Sequence, residues 1–306
     1  YKTYNQVTDN DHDGMDDAWE TKYGLDPANA ADRNLILASG YTALEAYING
    51  LCGETIAVEF AKPYDMVVAQ DGSGDYTSIQ SALDAAPDNG QRTRILVKNG
   101  TYEEKLFIGD RWKSSNKIIS LIGEDVDKVV ITWDDYNGKM IDYPGKDDQI
   151  KADGSTCGTF TINAPDFYME NITVMNPSTQ AQAIALCQKG DRHVLKNCKI
   201  LGNQDTHRTK KGRRYFYYNC EIEGGVDFIY AGGTCYFYQC NIVSNKAGYV
   251  TAPEDVPSFE KMSNGKNLYY GFFFNDCDLT AKAGVGAGSC YLGRPWGEKS
   301  GSVFMN

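Results

Sequence analysis

Asn197-Cys198-Lys199-Ile200, Asn219-Cys220-Glu221-Ile222, Gln239-Cys240-Asn241-Ile242 and Asp276-Cys277-Asp278-Leu279 repeat one phrase: polar, cysteine, polar or charged, aliphatic. Asn171-Ile172-Thr173-Val174 is the same phrase with isoleucine for cysteine. Successive copies are 26, 22, 20 and 37 residues apart. Self-similarity at that spacing marks a solenoid, a propeller or an array. Beyond residue 90 the apolar pattern has period two, as in Phe160/Ile162, Ile184/Leu186 and Cys220/Ile222, so the repeating unit is a short strand rather than a helix pair. A right-handed parallel β-helix, all-β, stacks one such coil on the next with strands ~4.8 Å apart. The recurrent cysteines then fall inside it: Cys198, Cys220, Cys240 and Cys277 are expected as buried packing thiols, with disulfides or a metal site as the alternative.

The rest of the composition narrows the options. Of 306 residues, 42% are hydrophobic and 23% charged, an ordinary globular balance. Lys plus Arg number 30 against 41 Asp plus Glu, a net charge of −11, which repels a phosphate backbone and argues against nucleic acid as a partner. No apolar run approaches the ~20 residues of a membrane span. Nine cysteines without a CxxC or Cys/His spacing are not a zinc module. The chain begins at Tyr1 without a methionine or signal-like segment, so a mature or trimmed product is expected.

The first 54 residues read differently. Asp9, Asp11, Asp13, the Met15 carbonyl, Asp17 and Glu20 occupy positions 1, 3, 5, 7, 9 and 12 of a loop with Gly14 at position 6. That is the oxygen spacing of a calcium loop, with Glu20 able to bind through both oxygens. The plainer alternative is an acidic capped turn before a short helix over 17–23. Residues 1–54 are therefore expected to form a calcium-binding appendage, and 55–306 the β-helix domain.

From Tyr64 onward the motifs are specific. Val67-Val68-Ala69-Gln70-Asp71-Gly72-Ser73-Gly74-Asp75-Tyr76, Gln182-Ala183-Ile184-Ala185-Leu186, Gln204-Asp205-Thr206, Gly225-Val226-Asp227-Phe228-Ile229 and Leu292-Gly293-Arg294-Pro295-Trp296 occur in that order. Over about 240 residues the chain resembles the pectin methylesterase (pectinesterase) family, and its front segment resembles the D-x-D-x-D-G modules appended to bacterial polysaccharide-degrading enzymes. The residues support the likeness independently. Gln182 to Gln204 and Asp205 to Asp227 are each 22 residues, one coil. Stacking therefore sets two carboxylates roughly 5–7 Å apart with two amides beside them. Such carboxylates do not both ionise easily; one becomes a proton donor. Amides can donate to an oxyanion, and Arg294 can orient a carboxylate.

The resemblance implies roles: Asp227 as nucleophile on a galacturonate methyl ester, Asp205 as acid then base, Gln182 and Gln204 as oxyanion donors, Arg294 bonding Asp227. Trp296 and Phe228 would line the sugar site. It implies pectin as substrate, a monomer, no cofactor for catalysis, and a secreted, periplasmic or cell-surface location in a bacterium. Family members continue past the Gly-Arg-Pro-Trp segment for a further coil, so the domain is expected to be cut short at Asn306. Residues 134–157, acidic and Gly-rich, are expected to reshape the groove. Two rival classes stay open: a glycoside hydrolase or lyase using the same carboxylate pair, and a carbohydrate-binding solenoid without chemistry. Finally, His207-Arg208-Thr209-Lys210-Lys211-Gly212-Arg213-Arg214 follows Asp205 directly. Arg208 or Lys210 is expected to meet a neighbouring free carboxylate; the alternative is a solvated basic turn.

Overall fold

The computed structural model describes residues 7–54, 56–60, 63–109, 112–254, 260–261, 267–268, 271–296 and 301–305. It divides into two compact units, Tyr1–Pro63 and Tyr64–Asn306.

In the first unit, helix α1 (Asp17–Tyr23) starts at Asp16, whose side chain accepts the Ala18 amide, and stops at Gly24 in the left-handed region. Helix α2 (Ala43–Leu51) carries a capping box between Thr42 and Glu45. Met15, Leu25, Ala43 and Tyr47 form its small core, with Trp19 packed against them.

The second unit is a parallel β-helix. Helix α3 (Ile79–Ala85) buries Ile79, Ala82 and Leu83 at its start. Three long sheets follow among the described residues, of nine, seven and seven strands, every pairing in them parallel. Each complete coil contributes one strand to each sheet, and the strands Met66–Val68 and Ser302–Met305 extend the nine-stranded one at its two ends. The repeat phrase is the corner between two of them: Asn171, Asn197, Asn219, Gln239 and Asp276 all have φ between 49° and 57°. Short amide and carboxyl side chains tolerate that conformation and link one coil to the next. Asn197 donates to Asn171 at 2.7 Å, Asn219 to Asn197 at 3.3 Å and Gln239 to Asp276 at 2.9 Å. The strand register after the corner runs Thr173–Lys199–Glu221–Asn241–Asp278, so the sequence steps of 26, 22, 20 and 37 are the coil lengths themselves.

Cys198, Cys220, Cys240 and Cys277 face the interior, at most 8% exposed, and all nine thiols are free. Above them Tyr217, Phe237, Phe274 and Phe304 stack ring on ring at 4.4, 4.5 and 4.4 Å. Such contacts add about 0.5–1.5 kcal/mol each beyond their buried area. One polar cluster also lies inside: Gln188 bridges His193 (3.0 Å) and His207 (2.8 Å), and the Tyr217 hydroxyl donates to Gln188 Oε1. Burial drives both imidazoles down, to about 4 and about 3, so they are neutral structural groups. Past the Gly-Arg-Pro-Trp segment a further strand, Ser302–Met305, joins the nine-stranded sheet beside Gly271–Asn275.

Candidate active site

The site forms where the chain turns into the strands His207–Thr209 and Ile229–Ala231. Asp205 and Asp227 both sit in the left-handed region, with φ of 61° and 51°. The Asp205 amide donates to Val226 O at 3.1 Å and the Ala183 amide to Gln204 O at 3.0 Å. Ala183, Asp205 and Asp227 therefore share one column across three coils, and Gln182, Gln204 and Val226 the column beside it. One step later the register slips: the amides of Ala185 and Leu186 both donate to Thr206 O, and Leu186 pairs with His207 at a spacing of 21. The slip falls after the glutamines, which keeps the amides level with one another.

Arg294 reaches Asp227 with both arms of its guanidinium, Nε to Oδ1 at 2.8 Å and Nη2 to Oδ2. Its backbone N–H donates a hydrogen bond to Thr251 O at 2.9 Å, and the Tyr249 ring lies 4.9 Å from the guanidinium. Gly293 is required there, since a Cβ would lie 2.2 Å from Thr251 Oγ1. Asp205 has no such partner. Burial, and then the charge of Asp227, push its carboxyl up to about 7, against the opposing pull of Arg208 and Arg294. The two acids are thus electrostatically unequal, one gripped by a cation and one holding a proton near neutrality.

These residues line a cleft of about 390 Å³ with Gln182, Gln204, Tyr230, Pro295 and the 61%-exposed Trp296. Behind Gln182 and Tyr230 packs the loop that the sequence marked only as acidic and Gly-rich. It carries a hairpin, Met140–Ile141 with Ile150–Lys151, and buries Ile141, Tyr143, Ala152 and Cys157 against Ile184, Cys187 and Tyr230. A buried ion pair, Lys105–Asp135 at 2.6 Å, anchors its base. From this loop Asn137 donates Nδ2 to Gln182 Oε1 at 3.0 Å and its amide to Gln182 O at 2.8 Å. With its oxygen so occupied, Gln182 is left with its NH₂ as the group to offer. Sequence reasoning missed Asn137 because 45 residues separate it from its partner. A larger groove of about 540 Å³ follows the Asn197–Asn219–Gln239–Asp276 corner, but its side chains bond to one another and bring no reactive set together.

Two expectations need correction. Phe228 is fully buried in the solenoid core and cannot touch a substrate; following the left-handed Asp227, its side chain packs inward. Arg208 and Lys210 lie together in a neighbouring pocket of about 260 Å³. In the first unit, Asp17 falls outside the two converging groups of carboxylates and accepts the Asn10 amide at 2.9 Å. The remaining acids do converge. Carboxylate oxygens of Asp9, Asp11 and Asp13 lie within 4.8 Å of one another, as do those of Asp13, Glu20 and Asp32. Glu20, Asp13 and Asp32 are 0%, 1% and 6% exposed, yet both Glu20 oxygens, Asp13 Oδ2 and Asp32 Oδ1 lack a hydrogen-bond partner among the described residues. Burial, then Asp13, push Glu20 to about 7. Buried unpaired oxygens of this kind fit a hard divalent cation. Met15 packs its side chain in the core and bonds its amide to Asp13 Oδ1 at 2.8 Å.

Known proteins agree with this geometry. The family model for pectinesterase matches residues 65–306. Pectinesterase 31 of Arabidopsis thaliana is 34% identical over 233 residues, 75% of this chain and 68% of that one. Pectinesterase QRT1 of the same plant is 32% identical over 255 residues, 79% of this chain, which spans 60% of its length. A crystal structure of a pectin methylesterase in complex with a hexasaccharide superposes with a TM-score of 0.65 at 29% identity, over 77% of this chain and 72% of that one. With its paired acids, forked arginine and β-helix scaffold all within the matched span, the chain belongs to the pectinesterase family.

Proposed function

We propose that this chain hydrolyses the methyl esters of galacturonate units in pectin, releasing methanol and leaving a free carboxylate on the polymer. The observation that carries the reading is the unequal pair: Asp227 oriented by Arg294, and Asp205 one coil away with its carboxyl raised to about 7. Asp227 attacks the ester carbonyl carbon, and the amides of Gln182 and Gln204 hold the oxyanion that forms. As the C–O bond breaks, Asp205 gives its proton to the departing methoxide. The acyl-enzyme on Asp227 is then attacked by water, whose proton returns to Asp205. Trp296 offers an apolar face to the sugar. Every role is filled by a side chain of this chain.

Methanol release from methyl-esterified homogalacturonan tests the reading, measured beside new reducing ends. Methanol without reducing ends supports esterase chemistry. Reducing ends without methanol would favour glycosidic cleavage, and neither product would leave a binding solenoid.

For the first unit, the unpaired oxygens of Asp13, Glu20 and Asp32, with Asp9 and Asp11 adjoining, support a structural Ca²⁺. Asp32, outside the loop, adds a ligand the loop spacing does not contain. Action on a cell-wall polymer implies export, to the periplasm, surface or medium of a bacterium, with the chain working as a monomer. Among the described residues no helix is long and apolar enough to cross a membrane.

A further inference from the structure

Among the side chains lining the catalytic cleft, the Tyr230 hydroxyl alone is both buried and without a hydrogen-bond partner among the described residues. Tyr230 stands beside Arg208 in the strand register and is 5% exposed. Its ring packs with Ile184, Cys187 and Ala252 and with Ile141, Tyr143 and Ala152 of the neighbouring loop. A Cβ placed on Gly154 would lie 3.6 Å from the hydroxyl, so the same loop closes over it. A buried hydroxyl left unpaired destabilises the folded chain, and phenylalanine would fill the same space without that cost. Such a group calls for a partner that forms in another state of the site.

The surrounding charges identify that partner. Burial, and then the charge of Asp205, push the Tyr230 phenol well above its ordinary value, so it remains a donor throughout the neutral range. The other titratable groups that act on it are Arg208, which pulls the opposite way, and the buried thiols of Cys187 and Cys157. Asp205 in turn faces Asp227, Arg208 and Arg294. Both cations are committed elsewhere: Arg294 to Asp227, and Arg208 to Ser155 Oγ at 2.7 Å. While Asp205 keeps its proton, the acid and the phenol are both neutral. Once that proton has gone to the departing methoxide, Asp205 is a carboxylate in a sheltered cleft with no fixed donor of its own.

Resting on the esterase reading above, we propose that Tyr230 is a positioning residue for Asp205, its hydroxyl donating to the Asp205 carboxylate that forms as methanol leaves and holding it as the base for the attacking water. The phenol keeps its proton throughout and only shares it. The proton of the attacking water passes to Asp205, and the hydroxyl is released again as that carboxyl becomes neutral. Hydrogen bonds to an ionised acceptor are roughly twice as strong as neutral ones, so the bond forms chiefly in the charged state. Tyr230 thus does for Asp205, transiently, what Arg294 does for Asp227.

The test is ¹³C-carboxyl NMR titration of the full chain and of Tyr230→Phe, following the signals that are lost in Asp205→Asn. The higher apparent pKa of the Asp205–Asp227 pair should rise by about one pH unit in the variant, a tenfold weaker hold on the ionised form. For methanol release from methyl-esterified homogalacturonan, kcat should fall about tenfold with KM within about twofold, and the pH profile of kcat should move to higher pH by the same amount. Melting temperatures carry a signature that a structural hydroxyl lacks. At about pH 5, where Asp205 is protonated, Tyr230→Phe should melt at or above the parent; at about pH 9, where it is ionised, below it. Equal losses at both values would make the hydroxyl structural and overturn the inference. So would a titration within about 0.3 of the parent, or a change confined to KM, which would make Tyr230 a substrate contact. The titration needs no substrate: a parent that releases methanol while the titration stays put overturns the inference alone, and a parent that releases none overturns the reading on which it rests.

Discussion

Asp205 lies one coil from Asp227 in the same column, its amide bonded to Val226 O, yet only Asp227 is held by the guanidinium of Arg294. Two identical side chains one rung apart thus meet opposite electrostatic surroundings, and the division of labour between them follows from that difference.

Replacing either with Asn should lower kcat at least about a hundredfold. Asn accepts the left-handed backbone that both positions require, so circular dichroism and elution volume should match the parent. Losses under tenfold would remove the pair from the chemistry.

The raised carboxyl of Asp205 has a consequence for stability. The folded chain keeps this proton up to about pH 7, whereas the unfolded chain releases it near 3.8. Between those values the folded state binds more protons, so this group makes stability fall as pH rises. Melting temperatures of Asp205→Asn relative to the parent should therefore climb from pH 4 to 7 and level off above. A constant difference across that range would show that the carboxyl is not perturbed.

Asn137 touches no reacting atom; it orients Gln182. Asn137→Asp presents an acceptor to Gln182 Oε1 and favours the reversed amide, which turns the oxyanion donor away. We expect kcat to drop about tenfold, with KM within about twofold, since loss of a donor outright costs about 10²–10³. Asn137→Ala should fall between the two enzymes. A change confined to KM would make Asn137 a substrate contact instead.

Calcium should raise the melting temperature and protect residues 7–54 from protease, both effects reversed by EDTA. Trp19, packed on Tyr23 and Tyr47 beside the acidic loop, supplies a fluorescence signal. Asp32→Ala should weaken the calcium response as Asp13→Ala does. If Asp32→Ala binds like the parent, the ion is held by the loop alone. Activity on pectin should not depend on the ion.

Thiol titration gives a fifth check. Seven cysteines are buried, Cys290 is partly covered and Cys52 is exposed. Native protein should release colour from one or two thiols with a disulfide reagent and from all nine only in denaturant. Fast reaction of more than three would contradict the interior cysteine stack.

Much of this was legible because a solenoid writes its register into sequence spacing: the 22-residue step from Asp205 to Asp227 is both a motif interval and a coil. What stayed hidden has no period. Asn137 and the Met140–Lys151 hairpin belong to a loop whose conformation depends on the sheet beneath it. Asp32 joins the carboxylates of Asp13 and Glu20 from twelve residues beyond the loop, by folding back to accept the Asp26 amide. Phe228 was misread because motif membership was taken for exposure; a left-handed residue resets which side the next one faces, and here it is the core.

The corner residues with positive φ, from Asn171 to Asp276, close coils as short as 20 and as long as 37 residues in the same way. Extra chain leaves the stack as a loop and returns at the same height. The distance between the two reactive acids is therefore a property of the pitch, insulated from whatever the surrounding loops gain or lose. Substrate preference can drift in such a protein through its loops alone, while the reaction centre keeps its dimensions.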